Sequence, residues 1–158
     1  MLNFELYCSM PIQTFYGIKN QKFNINFLGI GPMPTQHRLL IIDDNEEILA
    51  SLKTFLSKKG FDVVAASNGL DALKLYEAAY DNFDLVITDL VMPNIGGVAL
   101  ISIFKKRTPD LPVIAVTGFG EQPESLAREA QADVVLEKPF KLDELEKIVK
   151  ELLAGKKT

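Results

Sequence analysis

FDLVITDLVMP, residues 83–93, joins an apolar run to a carboxylate and then to a loop. Phe83, Leu85, Val86 and Ile87 read as a buried strand, because a short continuous apolar run suits a strand covered on both faces. The run closes on Thr88 and Asp89. No helix follows at once: Leu90, Val91, Met92 and Pro93 lead into Asn94-Ile95-Gly96-Gly97. Packing alone gives no reason to carry an acid to the tip of a core strand and to follow it with an apolar, Pro-stopped loop.

The same strand-then-helix rhythm extends in both directions. RLLIIDD (38–44) is a short apolar run ending in acids. In NEEILASLKTFLSKKG (45–60), Ile48, Leu49, Leu52, Phe55 and Leu56 fall at helical spacing. Asn45 suits the cap of that helix, Glu46 and Glu47 its positive end, and Lys58-Lys59-Gly60 its finish. FDVVAA (61–66) is a second strand and NGLDALKLYEAAY (68–80) a second amphipathic helix. After the third strand come GGVALISIFKKR (96–107) as helix, LPVIAVTG (111–118) as strand, and a short helix from Pro123 to Ala130. ADVVLEKPF (132–140) holds the fifth strand and KLDELEKIVKELLAG (141–155) the last helix. Alternation of this kind predicts an α/β fold with a parallel, doubly wound sheet.

The 158 residues suffice for one domain and a short extra segment. A net charge of −4 argues against a nucleic-acid surface, which needs a basic patch to displace counterions. The lone cysteine, Cys8, excludes a disulfide framework and a Cys-rich metal site. The first ten residues contain Glu5 but no Lys or Arg, unlike a signal peptide. No apolar run approaches the ~18 residues of a membrane span. The expectation is a soluble, cytoplasmic protein that contacts neither membrane nor nucleic acid.

Residues 1–33 stand apart from the domain expected over 34–158. They hold four of the ten Phe and four Asn, and KFNINF (22–27) alternates like a strand without an obvious partner. One reading is an N-terminal extension, either an arm packed on the domain or a disordered segment. The other is translated upstream DNA: Phe, Tyr, Ile, Lys and Asn have AT-rich codons, and Met33 sits just before the domain. Lys156-Lys157 reads as a solvated tail, and His37 as an exposed residue before the first strand.

In a parallel sheet the strand ends face one way, and the functional crevice lies at their carboxyl ends. Strand one ends at Asp43-Asp44, strand three at Asp89 and strand four at Thr117, while strand five runs into Lys138-Pro139. Three close carboxylates cannot all stay ionised without compensation. A hard cation such as Mg²⁺ compensates them, needing only one or two protein carboxylates and keeping several waters. Lys138 and Thr117 then offer a charge and a donor to phosphoryl oxygens. Asp89 is left as a carboxylate nucleophile toward phosphorus, and Val91 is the natural donor of a main-chain carbonyl to the metal. Singly, an Asp at a strand end is a cap or turn residue. The weight lies in all five positions falling in order and in the right units.

This constellation resembles the receiver domain of two-component response regulators over Arg38 to Leu153. The residues that carry it are DD at Asp43-Asp44, DLVMP at Asp89 to Pro93, VTG at Val116 to Gly118, and KPF at Lys138 to Phe140. The resemblance implies a flavodoxin-like sheet of five parallel strands in the order 2-1-3-4-5 with five helices. It implies phosphorylation of Asp89 by a histidine kinase or histidine phosphotransfer protein, with Mg²⁺ bound by Asp44 directly and by Asp43 through water. Thr117 and Lys138 would report the event to a downstream protein on the helix 4–strand 5–helix 5 face, in a monomer or weak dimer. The Lys138-Pro139 bond would be cis. Such a protein is not an enzyme beyond its own phosphotransfer and slow autodephosphorylation.

One position departs from the family pattern: Val135 stands where the family has a switch aromatic, and Phe119 is the candidate substitute. In receivers, the residues at Val91 and Phe119 border the water that hydrolyses the phosphoryl group, and neither side chain here can hold a water. Rival readings fit less well. A Mg-dependent phosphohydrolase with an Asp nucleophile wants a second acid where Val91 stands. A flavodoxin wants a Ser/Thr/Gly phosphate loop where DDNEE stands. A phosphorylation-independent binding module would have lost a site residue. Only AGKKT follows Leu153, so a single-domain receiver is expected.

Overall fold

The computed structural model describes residues 36–79, 82–118 and 123–155. The expectations for residues 1–33, for Phe119 and for Lys156-Lys157 lie outside them. Ten elements alternate: β1 (Arg38–Ile42), α1 (Glu46–Lys58), β2 (Asp62–Ala66), α2 (Gly69–Ala78), β3 (Leu85–Asp89), α3 (Gly97–Arg107), β4 (Val113–Thr117), α4 (Pro123–Glu129), β5 (Val134–Glu137) and α5 (Leu142–Gly155). The strands form one sheet in the order β2-β1-β3-β4-β5, with every pairing parallel. This is the five-stranded, flavodoxin-like arrangement expected.

Successive strand side chains point to opposite faces, and here both faces are covered. Leu39, Ile41, Leu85, Ile87, Ile114 and Val116 pack with Leu49, Leu52 and Leu56 of α1 and with Leu145, Val149 and Leu153 of α5. Leu40, Ile42, Val86, Val113 and Ala115 pack with Ala72 and Tyr76 of α2, Leu100, Ile101 and Phe104 of α3, and Ala127 of α4. Every residue of β3 and β4 is therefore buried, which explains their unbroken apolar runs. Each such aliphatic side chain contributes about 1.5–3 kcal/mol on full burial.

The helix ends follow their sequence signals. The Asn45 side chain accepts from the Glu47 and Ile48 N–H groups at 3.0 and 3.2 Å. Asn68 does the same for the Asp71 N–H at 2.8 Å. Gly60, past the end of α1, has a φ of +89°, a left-handed backbone that glycine adopts without a Cβ penalty. His37 is less exposed than expected. Its carbonyl accepts the Asp62 N–H at 3.0 Å, which ties it to the start of β2, and its Nδ1 lies 3.5 Å from an Asp84 oxygen. Among the described residues, no helix is long and apolar enough to cross a membrane.

The register positions the site. Ile42 is level with Thr88, Asp89 with Val116, and Thr117 with Glu137. Residues that end different strands are thereby delivered to one edge of the sheet.

Candidate functional site

Asp43 follows the last residue of β1 and is 3% exposed. Its N–H donates to the Ala66 carbonyl at 3.2 Å, carrying the ladder to β2 one residue further. One carboxylate oxygen accepts the Asn45 N–H at 2.8 Å, and the other accepts Lys138 Nζ at 2.9 Å. Asp44 is exposed. Asp89, the last residue of β3, is buried and accepts Lys138 Nζ at 3.4 Å. Carboxylate oxygens of Asp43, Asp44 and Asp89 all lie within 4.8 Å of one another. The structure thus brings together four of the six residues singled out from sequence.

The other two sit at the same edge. Thr117 ends β4 and is buried; its hydroxyl donates to the Gly118 carbonyl at 3.4 Å. The Lys138 N–H donates to the Thr117 carbonyl at 2.8 Å, so these two positions are tied through the backbone. Val91 lies two residues past Asp89 in the loop, half-exposed. The Lys138-Pro139 peptide is cis. Val135 in β5 is partly buried and packs on the side of the sheet held by α2, α3 and α4.

Charge is unbalanced at this edge. Burial pushes the Asp89 carboxyl above its ordinary 3.8; Asp43 and Asp44 push the same way, against the pull of Lys138. Burial works to lower the Lys138 ammonium, but its hydrogen bond to Asp43 and the charges of Asp43 and Asp89 together hold it above 10.5. Among the described residues, one ammonium, that of Lys138, stands against the carboxylates of Asp43, Asp44 and Asp89. An all-oxygen donor set with an excess of negative charge fits a hard divalent cation, and Asp44 offers it an exposed carboxylate.

Two supports were not read from the sequence. The Asn45 main-chain N–H fixes one Asp43 oxygen, a role that residue type does not signal. Gly97, at the start of α3, lies so close to the Asp89 peptide that a Cβ there would fall 2.0 Å from the Asp89 carbonyl oxygen. The Gly97 N–H also donates to the Leu90 carbonyl at 3.0 Å, and the buried Thr88 hydroxyl donates to the Asp89 carbonyl at 3.0 Å. The Gly-Gly pair after Pro93 was the available signal for the close approach. A groove of about 370 Å³ opens next to Lys138, between α1 and the start of α5; Ile48, Leu52, Pro139, Phe140 and Leu142 line it.

The family model of the response regulator receiver domain matches residues 39–150. The transcriptional regulatory protein PrrA of Mycobacterium tuberculosis is 36% identical over 120 residues, covering 75% of this chain and 51% of PrrA. The sensor kinase CckA of Brucella abortus is 33% identical over 118 residues, covering 73% of this chain and 12% of CckA. The chain thus spans about half the length of PrrA. Among solved structures, a response regulator receiver domain protein from Clostridium thermocellum superposes with a TM-score of 0.73 at 32% identity, covering 77% of this chain and 97% of that one. The response regulator TrrA from Thermotoga maritima, solved in complex with Mg(2+)-BeF, gives a TM-score of 0.67 at 35% identity, covering 74% of this chain and 99% of that one.

Proposed function

The chain belongs to the response regulator receiver domain family, the signalling module of two-component systems, and from that premise we propose that it is a phosphoacceptor with Asp89 as the phosphorylated residue. The observation that carries this reading is the tip of β3: a buried carboxylate in contact with one lysine and flanked by two further acids. The phosphodonor is a phosphohistidine on a histidine kinase or a phosphotransfer protein. An Asp89 oxygen attacks phosphorus while the P–N bond to the donor imidazole breaks. The nitrogen keeps the electron pair, and Asp89 becomes an acyl phosphate.

This chain's own groups are arranged for that step. Lys138 already touches Asp89 and carries a charge suited to a phosphoryl oxygen. The Thr117 hydroxyl, in a long 3.4 Å bond to the Gly118 carbonyl, is suited to donate to another. Asp44, Asp89 and the Val91 carbonyl would hold Mg²⁺, with Asp43 acting through water. When bound, the ion supplies positive charge that offsets the acids and polarises a phosphoryl oxygen. TrrA, solved with Mg(2+)-BeF, supports this assignment by similarity. The groove beside Lys138 offers the donor an apolar seat next to the recessed carboxylate. Output follows as a protein–protein contact on the face of α4, β5 and α5, which Thr117 and Lys138 flank.

The test is incubation of the full chain with acetyl phosphate and Mg²⁺, followed by intact mass. One added phosphoryl group is expected in the wild type and none in Asp89→Asn. Equal labelling of Asp89→Asn would remove Asp89 as the acceptor, and an unlabelled wild type would count against the phosphoacceptor reading itself.

A further inference from the structure

Gly69 opens α2 directly behind its Asn68 cap and is buried. A Cβ built on Gly69 would fall 2.5 Å from the Ile95 carbonyl oxygen and 2.7 Å from the Ile95 Cβ. Ile95 belongs to the loop that leaves Asp89, carries Val91 and enters α3 at Gly97. At its far end that loop is pinned where Gly97 meets the Asp89 carbonyl. Just before Ile95, Asn94 adopts a left-handed φ of +66°. The first turn of α2 and the Asp89 peptide therefore hold the loop from two sides, each through a missing Cβ.

We propose that Gly69 is a positioning residue for the acidic site: its bare Cα lets α2 seat against Ile95 and thereby fixes the loop that presents the Val91 carbonyl. This rests on the reading of Asp43, Asp44 and Asp89 as a Mg²⁺ site. A methyl group at position 69 meets a main-chain oxygen and a branched Cβ, neither of which is the yielding tip of a flexible side chain. The Gly97 end has no room to retreat, because the Asp89 carbonyl abuts it. The displacement falls on the segment around Asn94 and Ile95, and from there on the turn that leads back to Val91. A glycine kept for packing alone would affect stability and leave metal affinity untouched.

The experiment titrates the full chain with Mg²⁺ alone by calorimetry, with melting curves alongside. Gly69→Ala is expected to weaken binding roughly tenfold or more, the scale on which groups supporting metal ligands act. Tyr76→Phe, which removes the hydrogen bond from α2 to Thr108, controls for lost stability; it should lower the melting temperature and leave affinity unchanged. Gly69→Ala combined with Ile95→Gly should recover part of the affinity. Unchanged magnesium affinity in Gly69→Ala overturns the proposal. Asp44→Ala separates the two readings. Normal binding in Asp44→Ala brings down the metal site and Gly69 with it, whereas loss there with normal binding in Gly69→Ala brings down Gly69 alone. Should Gly69→Ala not fold, amide NMR decides. Mg²⁺ should shift the Gly69 amide in the wild type, and Ile95→Gly should largely abolish that shift; an unmoved Gly69 amide in the wild type overturns the proposal.

Discussion

Asp89 is placed at a cost to the fold. Burial first, then the nearby Asp43 and Asp44, hold its carboxyl above the 3.8 of an unperturbed aspartate, despite Lys138. The folded state therefore keeps a proton on Asp89 at pH values where the unfolded chain has lost it. Stability falls as pH rises from 3.8 through the raised folded value. Asp89→Asn lacks that loss, so in EDTA at neutral pH it should melt higher than wild type. A rise of a few degrees is expected, since about 1 kcal/mol moves a domain of this size by roughly 3–6 °C; a lower melting point would contradict the electrostatic account. A bound Mg²⁺ would relieve the same strain, so Asp44→Ala should abolish the Mg²⁺-dependent amide shifts expected by NMR, and normal affinity in that variant would sink the assignment. These four polar residues were legible because each lies at or within two residues of the end of a strand, and parallel strands end together. Gly97 and the Asn45 N–H were not, because a close backbone approach leaves no mark in residue chemistry beyond a glycine. The lifetime of the phosphoryl group belongs to this scale too. The side chain of half-exposed Val91 has no group to hold a water, and a Phe119 side chain has none either. A positioned, polarised water contributes ~10²–10⁴-fold in such chemistry, so the phosphoprotein should decay slowly. Phos-tag gels after donor removal should show faster decay in Val91→Asn, Phe119→Glu; equal decay would refute the occlusion argument.

Among the elements, α1 and α5 are joined by a buried acid that packing alone does not explain. Glu146 of α5 accepts Lys59 Nζ, just past α1, at 2.6 Å and Lys150 Nζ, one turn on in α5, also at 2.6 Å. Lys150 first and Lys59 second hold its carboxyl below the ordinary 4.5. The pair's contribution is thus complete above pH 4.5 and is lost as pH falls through the depressed folded value. Glu146→Gln should melt below wild type at neutral pH, and the gap should close under acid conditions. A gap that stays constant from neutral to acid pH would mean that the loss is one of packing rather than charge. The Glu146–Lys150 spacing was visible in the sequence as a helical i,i+4 pair. The Lys59 contact was not, since it requires knowing that α1 and α5 share a face of the sheet. The caps were easier to read: Asn45 and Asn68 act within three residues of themselves, where sequence and space coincide.

For the molecule as a whole, periodicity and alternation were enough to give parallel strands wrapped on both faces, but not the order of the strands. Any order that keeps right-handed crossovers satisfies the same hydrophobic pattern. The order β2-β1-β3-β4-β5 came from the likeness to receivers, and the pairings bear it out. That order puts β1 and β3 side by side, so the Asp43-Asp44 pair and Asp89 become neighbours. It also leaves both faces of the sheet covered by helices. The side chains of α1 and α5 close one face and those of α2, α3 and α4 the other, all within residues 39–153. The residues of the candidate site run from Asp43 to Lys138. The prediction is that a chain starting at Met33 folds, binds Mg²⁺ and takes up a phosphoryl group as the full chain does. Its melting temperature should lie within about 2 °C of the full chain, less than the shift that ~1 kcal/mol produces in a domain of this size. Calorimetric melting and intact mass after acetyl phosphate treatment check this on the two proteins side by side. A drop of many degrees, or lost labelling in a truncated chain that still melts cooperatively, would show that the N-terminal segment contributes to the core or to the site.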